Sequence, residues 1–243
     1  MNSLCLEDIP TMNKMGYASQ VLDEYGYLFL GCIHQLSSPK VLDIGAGYGL
    51  TTLPALSAGA VVVANDLAQI HLDIIRGKAS PDFVDKLSLC AGRFPQELKF
   101  KQNSFDVIGM FQVLHFLRAE EIENGLPLLL SWLKPGGKLF LTSITPYIRT
   151  LKNFLPIYQK RKQEKQIWPG QVEEVKNYCN HPSMEANPDF IHLLEPDILE
   201  CSFVKAGFCI EQVGFYPSYP DIHVDYEHTE SEYDVGIIAS KPL

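Results

Sequence analysis

The sequence VLDIGAGYGL, residues 41–50, joins a short apolar run to three closely spaced glycines. The apolar run predicts a buried strand over Lys40–Ile44. Gly45, Gly47 and Gly49 let the backbone turn sharply, and they let a ligand approach with no Cβ in the way. Ligands of open α/β sheets bind at the carboxyl ends of the strands, and this loop follows such an end. The segment therefore predicts a small-ligand site immediately after the strand.

Two carboxylates accompany the glycine loop. Asp43 stands inside the otherwise apolar strand end, and Asp66 follows the next β-branched run, Val61–Asn65. A carboxylate at the end of the second strand suits the paired hydroxyls of a ribose. The alternative for Asp66 is an N-cap of the helix that begins near Leu67. We expect ribose binding, because the strand-end position matches the geometry of nucleotide sites.

The spacing of the glycines separates two kinds of nucleotide site. Dinucleotide-binding units carry G-x-G-x-x-G. Here the glycines read G-x-G-x-G, and Leu50 occupies the third position of the dinucleotide pattern. This difference argues against a nicotinamide or flavin dinucleotide and leaves a loop suited to a nucleoside.

Strand-like and helix-like segments alternate along most of the chain, which predicts a parallel, doubly wound α/β sheet. Pro127 lies inside one predicted helix, so we expect a bend at Asn124-Gly125 that puts the proline in the first turn of a second segment. The predicted helices cover residues 21–36, 50–58, 67–76, 118–133 and 195–206, and the further predicted strands cover 87–91, 105–111, 138–144, 209–215 and 233–240.

Length and composition favour one globular domain, residues 1–243, with 46% hydrophobic residues and a net charge of −9. An acidic protein repels phosphate backbones, so nucleic acid is not the expected partner. We find no apolar run near the roughly 18 residues of a membrane span and no secretory signal. The six cysteines contain no C-x-x-C pair, as in reduced cytosolic proteins, so the cytoplasm is the predicted location.

Taken together, these blocks resemble the class I S-adenosylmethionine-dependent methyltransferases, of the methyltransferase type 11/12 kind. VLDIGAGYGL is similar to their motif I, in which an acidic residue precedes G-x-G-x-G. The likeness runs from about residue 17 to the end of the chain and is weakest over 146–188. It continues through VVVANDLA (61–68), SFDVIGMFQVLHFL (104–117), LKPGGKLFLTS (133–143) and LEPDILECSFVKAGF (194–208). The resemblance implies a Rossmann-like seven-stranded sheet whose last strand is antiparallel, with S-adenosylmethionine across the strand ends.

The resemblance also implies roles for residues of this sequence around the bound cofactor. Asp43 would bind its ammonium group, directly or through water, and Asp66 its ribose hydroxyls. Relatives often carry an acidic residue for adenine where this chain has Arg93, and a guanidinium cannot accept that hydrogen bond. A backbone carbonyl of this segment, or packing between Leu67 and Phe94, would replace it. The other implied cofactor-binding residues are Tyr17, Gly45, Ala46, Gly47, Gly49, Gly92, Phe111 and Gln112.

Two residues near the end of the fourth strand are the candidates for the transfer step. Gln112 either hydrogen-bonds the cofactor or the acceptor, or is a polar helix-start residue without a ligand. His115 is either a general base or, as the simpler interpretation, a histidine packed under the cofactor. Methyl transfer from a sulfonium needs mainly alignment and exclusion of water, so an elaborate catalytic constellation is not required.

Three segments are expected to cover the strand ends and to select the acceptor. They are an N-terminal helical cap (1–36) that contains Tyr17, a lid-like insertion (146–192) and the loop 216–232. Aromatic and histidine residues of the insertion either pack it onto the body or contact the acceptor; they are Tyr147, Tyr158, Trp168, Tyr178, His181 and His192. We predict no metal site, because His223, Asp225, Glu227 and His228 have no fixed geometry in a loop. The expected acceptor is a small molecule; the alternatives are a protein methyltransferase and a non-catalytic module that binds the cofactor or its demethylated product.

Overall fold

The computed structural model describes residues 8–179, 188–217 and 233–243. The chain begins with an antiparallel hairpin of β1 (Asp8–Pro10) and β2 (Tyr17–Ser19), followed by α1 (Glu24–His34). The helix begins after Asp23, whose carboxylate accepts a hydrogen bond of 2.6 Å from the Gly26 N–H and so caps the first turn. The predicted N-terminal helix is therefore present, but the hairpin before it was not anticipated.

The remaining elements follow in chain order, with single 3₁₀ turns between some of them. They are β3 (Lys40–Ile44), α2 (Thr52–Ser57), β4 (Val61–Asp66), α3 (Gln69–Lys78), β5 (Leu87–Ala91), β6 (Phe105–Phe111), α4 (Ala119–Trp132), β7 (Leu133–Ile144), α5 (Leu155–Gln163), β8 (Gln171–Glu173), β9 (Phe190–His192), α6 (Pro196–Ala206), β10 (Cys209–Pro217) and β11 (Tyr233–Ser240).

Seven of these strands form one sheet in the order β10-β11-β7-β6-β3-β4-β5. All neighbouring pairs are parallel except the two that involve β11, which runs antiparallel to both β7 and β10. The predicted fold, a doubly wound sheet with an antiparallel last strand, is confirmed. Because the strand order reverses between β3 and β6, a crevice opens at their carboxyl ends, the usual ligand position of such sheets.

Helices bury both faces of the sheet. On one face α1 and α2 pack on the sheet, with Phe29 and Ile33 buried among Val62 and Phe140. On the other face α4 and α6 pack on the same strands. A sheet covered on both faces leaves its strand ends as the route for a ligand.

Helix α4 is continuous through Pro127, so the expected division into two segments at Asn124-Gly125 is wrong. Gly125 is instead a packing position: an added Cβ would lie 2.7 Å from the Cζ atom of Phe94. The helix keeps its course because burial of Ile122, Leu126 and neighbouring residues on the sheet outweighs the hydrogen bond that the proline lacks.

Within the predicted insertion, Phe154, just before α5, and Tyr158 of α5 belong to a separate hydrophobic cluster with Val172 of β8 and Ile191 of β9. Its attachment to the body includes Glu195, which is buried and interacts with the Tyr147 hydroxyl and the Lys162 ammonium. His181 and residues 218–232, which include His223, Asp225, Glu227 and His228, lie outside the described residues.

Candidate functional site

The glycine loop after β3 combines one closely packed glycine with one open glycine. Gly45 has φ +73°, and a Cβ there would lie 2.2 Å from Cγ2 of Val113. Gly47 has φ +51°, and the nearest atom to its added Cβ would be a backbone oxygen at 3.9 Å. Ala46 fixes the loop to the next strand, because its N–H donates to the Asn65 carbonyl at 2.8 Å. The loop is thus rigidly supported below and open at Gly47.

Asp66 ends β4 beside this opening, and the residue is 5% exposed. Oδ2 accepts from the Gly47 N–H at 2.9 Å, and Oδ1 accepts from the Ala68 N–H at 2.8 Å. Oδ1 also lies 3.0 Å from Nδ1 of His71. A carboxylate offers about four lone-pair directions, so room remains for a further donor. The contact with Ala68 shows that Asp66 also orders the approach to α3, although the residue that caps this helix is Ala68.

Asp43 is buried, and its Oδ2 accepts hydrogen bonds of 2.6 Å from both the Thr51 and the Thr52 hydroxyls. Burial raises the pKa of Asp43, the two hydroxyls oppose the increase, and the charge of Asp66 adds to it. The carboxylate therefore joins the end of β3 to the start of α2. Asp43 was predicted to bind the ammonium group of the cofactor either directly or through water. Its burial favours a contact through water.

The segment after β5 is held by a residue that the sequence reasoning missed. The Asn65 amide donates to the carbonyls of Cys90 at 2.8 Å and Gly92 at 3.0 Å. Arg93 points towards α4, where its Nη2 lies 3.0 Å from Oε1 of Glu121. The guanidinium thus has a partner within the protein, which accounts for an arginine where an acidic residue was expected.

Leu67 and Phe94, the two residues predicted to pack on adenine, have different environments. Leu67 is 47% exposed, whereas Phe94 is buried against Trp132 with ring centroids 6.1 Å apart. Phe94 thus belongs to the core under α4. Leu67 presents an apolar surface at the carboxyl end of the sheet, next to Asp66.

A polar group that we call the edge cluster, Asp23, Gln112, Tyr216 and Asp234, lies where β6, β10 and β11 meet this edge. Nε2 of Gln112 donates to Oδ2 of Asp234 at 2.9 Å and lies 3.4 Å from the Tyr216 hydroxyl, which donates to Oδ2 of Asp23 at 2.9 Å. Gln112 has φ +54°, an unusual backbone conformation for this residue type, and its buried Oε1 has no hydrogen-bond partner among the described residues. Phe111, just before it, packs edge-on against Phe29.

Two titratable side chains near this end of β6, His115 and Tyr216, are poorly suited to proton transfer at neutral pH. Burial lowers the pKa of His115 to about 3, and no residue in the described part of the chain forms a hydrogen bond with its Nδ1. Burial raises the pKa of Tyr216 far above its ordinary value, and the charges of Asp234 and Asp23 add to the increase. His115 is therefore a neutral, weakly basic group, and Tyr216 stays a neutral phenol.

The N-terminal hairpin is attached to the same side of the molecule. The Tyr48 hydroxyl in the glycine loop donates to the Pro10 carbonyl at 2.9 Å, and Tyr17 pairs with Pro10 across the hairpin. The Met12 N–H donates to Nε2 of His71 at 3.2 Å. Tyr17 thus lies in the strand that pairs with β1, and β1 is the strand that Tyr48 of the glycine loop contacts. The role of Tyr17 in cofactor binding stays a prediction.

The structure therefore brings most predicted cofactor residues to one edge: Asp43, Gly45, Ala46, Gly47, Gly49, Asp66 and Leu67, with Gly92, Arg93, Phe111 and Gln112 at the ends of the adjacent strands. The residues that the sequence reasoning missed are Asn65, His71, Tyr216 and Asp234. Their spacing gave no signal, since their partners are set by packing between elements. Among the described residues, no group of three or more His, Cys, Asp or Glu side chains is arranged to hold a metal ion. Within the same residues, no helix has the length and apolar character needed to cross a membrane.

Comparison with known proteins gives the same picture. Residues 41–137 match a family model described as a methyltransferase domain. A cypemycin N-terminal methyltransferase from a Streptomyces species is 36% identical over 114 residues, which is 46% of this chain and 44% of that protein. Phosphoethanolamine N-methyltransferase 1 of Triticum aestivum is 28% identical over 112 residues, 46% of this chain and 22% of that protein. The chain thus spans less than half the length of these curated relatives.

A solved structure shares the whole fold. A protein of Methanosarcina mazei, described as an S-adenosylmethionine-dependent methyltransferase, superposes with a TM-score of 0.65 at 20% identity and covers 91% of this chain and 99% of its own. Residues 41–137 are thus similar to a methyltransferase domain, and the chain shares its fold with this S-adenosylmethionine-dependent methyltransferase.

Proposed function

We propose that this chain binds S-adenosylmethionine at the carboxyl ends of β3, β4, β5 and β6 and catalyses transfer of its methyl group to a small-molecule acceptor. The observation that carries the proposal is the open position above Gly47 beside the Asp66 carboxylate. A backbone with no side chain and an available carboxylate acceptor match a nucleoside diol. The match of residues 41–137 to a methyltransferase domain supports the reaction class.

The residues of the site fit this cofactor. Asp66 would accept from the ribose hydroxyls, the loop of Gly45, Ala46 and Gly47 would back the methionine portion, and Leu67 would pack on adenine. When bound, S-adenosylmethionine supplies a methyl group already activated by the sulfonium. The protein then has to align the acceptor and exclude water, which is a positioning task.

The edge cluster is the proposed boundary of the acceptor site. The side chain of Gln112 donates to Asp234, and its Oε1, which has no partner within residues 8–179, 188–217 and 233–243, is available to accept a hydrogen bond. His115, the candidate base at the end of β6, is poorly suited to accept a proton at neutral pH, because burial lowers its pKa to about 3. A nucleophile that needs no deprotonation, such as a neutral amine, therefore suits this edge better than an alcohol.

A protein or peptide acceptor is the second candidate. The cypemycin N-terminal methyltransferase, named for the terminus on which it acts, shares 36% identity with this chain in the matched region. The net charge of −9 suits a cationic acceptor of either kind and disfavours nucleic acid.

Two measurements test the proposal in sequence. Calorimetry should show binding of S-adenosylmethionine and S-adenosylhomocysteine; a folded protein that binds neither contradicts it. A transfer screen with methyl-labelled S-adenosylmethionine should then label a compound in a metabolite pool. Labelling only of peptides would favour the second candidate. Cofactor binding with no transfer to any pool would instead favour a non-catalytic binding module.

A further inference from the structure

His71 lies at the start of α3 and is 1% exposed, but its two ring nitrogens contact two different parts of the protein. Nδ1 lies 3.0 Å from Oδ1 of Asp66, the carboxylate proposed to bind ribose. Nε2 lies 3.2 Å from the backbone nitrogen of Met12, in the N-terminal hairpin. One imidazole thus joins the hairpin to the proposed cofactor carboxylate.

The partners of the ring assign its tautomer. The Met12 N–H is a donor, so Nε2 must be the acceptor and carry no proton. The neutral ring then carries its proton on Nδ1 and donates it to Asp66. A donor to an ionised carboxylate makes one of the stronger hydrogen bonds in proteins, and it fixes the orientation of the carboxylate. The same tautomer serves both partners.

The turn of the hairpin leaves the Met12 N–H free to donate to His71. Met12 is the second residue of a turn closed by a hydrogen bond of 3.1 Å from the Lys14 N–H to the Thr11 carbonyl. The Met12 N–H is not used inside the turn and is directed to His71. Tyr48 strengthens the junction, because its ring packs edge-on against the His71 ring at 4.9 Å and its hydroxyl donates to Pro10. The hairpin is thus attached by His71 and by Tyr48, and both residues lie beside the proposed cofactor site.

We propose that His71 is a positioning residue that couples attachment of the N-terminal hairpin to cofactor binding through Asp66. The inference rests on the proposed function, because it assigns Asp66 to the ribose. A ring held by the hairpin presents its N–H to Oδ1 and keeps the carboxylate oriented for ribose hydroxyls. By linkage, a ligand on Asp66 stabilises the attached hairpin to the same extent.

The hydrogen bond between the hairpin and His71 is tested first, without changing His71 or Asp66. Met12→Pro removes the donating N–H, and proline is favoured at the second position of such a turn. Met12→Ala retains the N–H and is its matched reference. We expect the proline variant to bind S-adenosylhomocysteine about fivefold more weakly than the alanine variant, the loss of one neutral hydrogen bond. Calorimetry gives both affinities.

The hydrogen bond between His71 and Asp66 is tested with two substitutions of His71 that remove it to different extents. His71→Phe keeps the ring against Tyr48 and removes both hydrogen bonds, so we expect affinity for S-adenosylhomocysteine to fall more than tenfold. His71→Asn offers an amide N–H near the position of Nδ1 but no acceptor for Met12, so it should recover part of this loss. His34→Asn changes an exposed histidine of α1 and should leave the affinity unchanged.

Amide hydrogen exchange over residues 8–19 gives a readout that a purely structural role would not move. In the unsubstituted protein S-adenosylhomocysteine should slow this exchange, and in Met12→Pro and His71→Phe it should not. Unchanged affinity and retained protection in Met12→Pro would overturn the inference, even if His71→Phe does not fold. Failure of the unsubstituted protein to bind S-adenosylhomocysteine would instead overturn the proposed function and the inference with it.

Discussion

The cofactor side and the edge cluster lie on the same edge of one sheet but are assembled differently. On the cofactor side, five side-chain hydrogen bonds of Asp43 and Asp66 join residues 2 to 19 positions apart. In the edge cluster, the three bonds among Gln112, Tyr216, Asp234 and Asp23 join residues 104, 122 and 193 positions apart. The first region is a local product of strand, loop and helix. The second requires the complete sheet.

This difference has a chemical consequence. A cofactor shared by a family can be held by one continuous motif, which brings the loop, Asp66 and α3 together as soon as β3 and β4 pair. An acceptor site built from distant elements varies with each of them. The relatives are named for different acceptors, phosphoethanolamine and the N-terminus of cypemycin, while the matched region is the one that carries the motif.

The largest expected effect concerns the contact that joins the two regions, Gly45 against Val113. Gly45→Ala should lower the free energy of unfolding by about 3 kcal/mol, because a left-handed alanine is strained and its Cβ overlaps Cγ2 of Val113. Denaturant unfolding measures the loss. Gly59→Ala, also at positive φ but facing open space, should lose only about 1 kcal/mol. Adding Val113→Ala to Gly45→Ala should restore part of the difference; equal losses at Gly45 and Gly59 would contradict the contact.

The second largest expected effect is on the affinity for the cofactor, which should depend on the cofactor side of the sheet. Asp66→Ala should weaken binding of S-adenosylmethionine by about 2 to 3 kcal/mol, since hydrogen bonds to a charged acceptor are lost. Calorimetry on the folded variant measures it. Asp73→Ala, an exposed carboxylate on α3, is the control and should bind normally. An unchanged affinity for Asp66→Ala would remove this residue from the site.

The third prediction concerns the pH dependence of stability at the end of β6. The folded pKa of His115 is about 3, below the value near 6.5 expected when unfolded, so the unfolded chain binds the extra proton as pH falls through 6.5 towards 3. The contribution of neutral His115 to the free energy of unfolding should therefore be present above about pH 6.5 and be lost as the pH falls towards 3. His115 should account for about 2 kcal/mol of the loss between pH 7 and pH 5.

His115→Leu should make the decline in unfolding free energy shallower by that amount. His34→Asn, a substitution at an exposed histidine of α1, is the matched control. Burial also lowers the pKa of His192, to about 4, so a decline should persist in His115→Leu. A decline as steep as in the unsubstituted protein would show that His115 becomes charged in the fold.

The smallest effect tests whether the edge cluster is independent of the cofactor side. Tyr216→Phe removes the hydroxyl that donates to Asp23 and should lower the free energy of unfolding by about 1 kcal/mol. Affinity for S-adenosylhomocysteine should stay within twofold. Tyr27→Phe, at an exposed tyrosine of α1, provides the reference. A tenfold loss of affinity in Tyr216→Phe would show that the two regions are coupled.

The sequence by itself determined the sheet and the cofactor motif. The predicted bounds of β3, β5, β6 and β11 agree with the structure, because apolar β-branched runs bounded by turn residues specify buried strands. Gly47, Asp43 and Asp66 could be identified because their hydrogen-bond partners lie no more than 19 positions away along the chain.

The tertiary structure decided what depends on distant partners. It directed Arg93 to Glu121, buried Phe94 under α4, and kept α4 continuous through Pro127. It also placed the Met12 N–H on His71, a contact across 59 positions. Local pattern fixes which face of an element is buried, but the partner of a polar atom depends on which elements pack against it. That choice is made only when the whole domain folds.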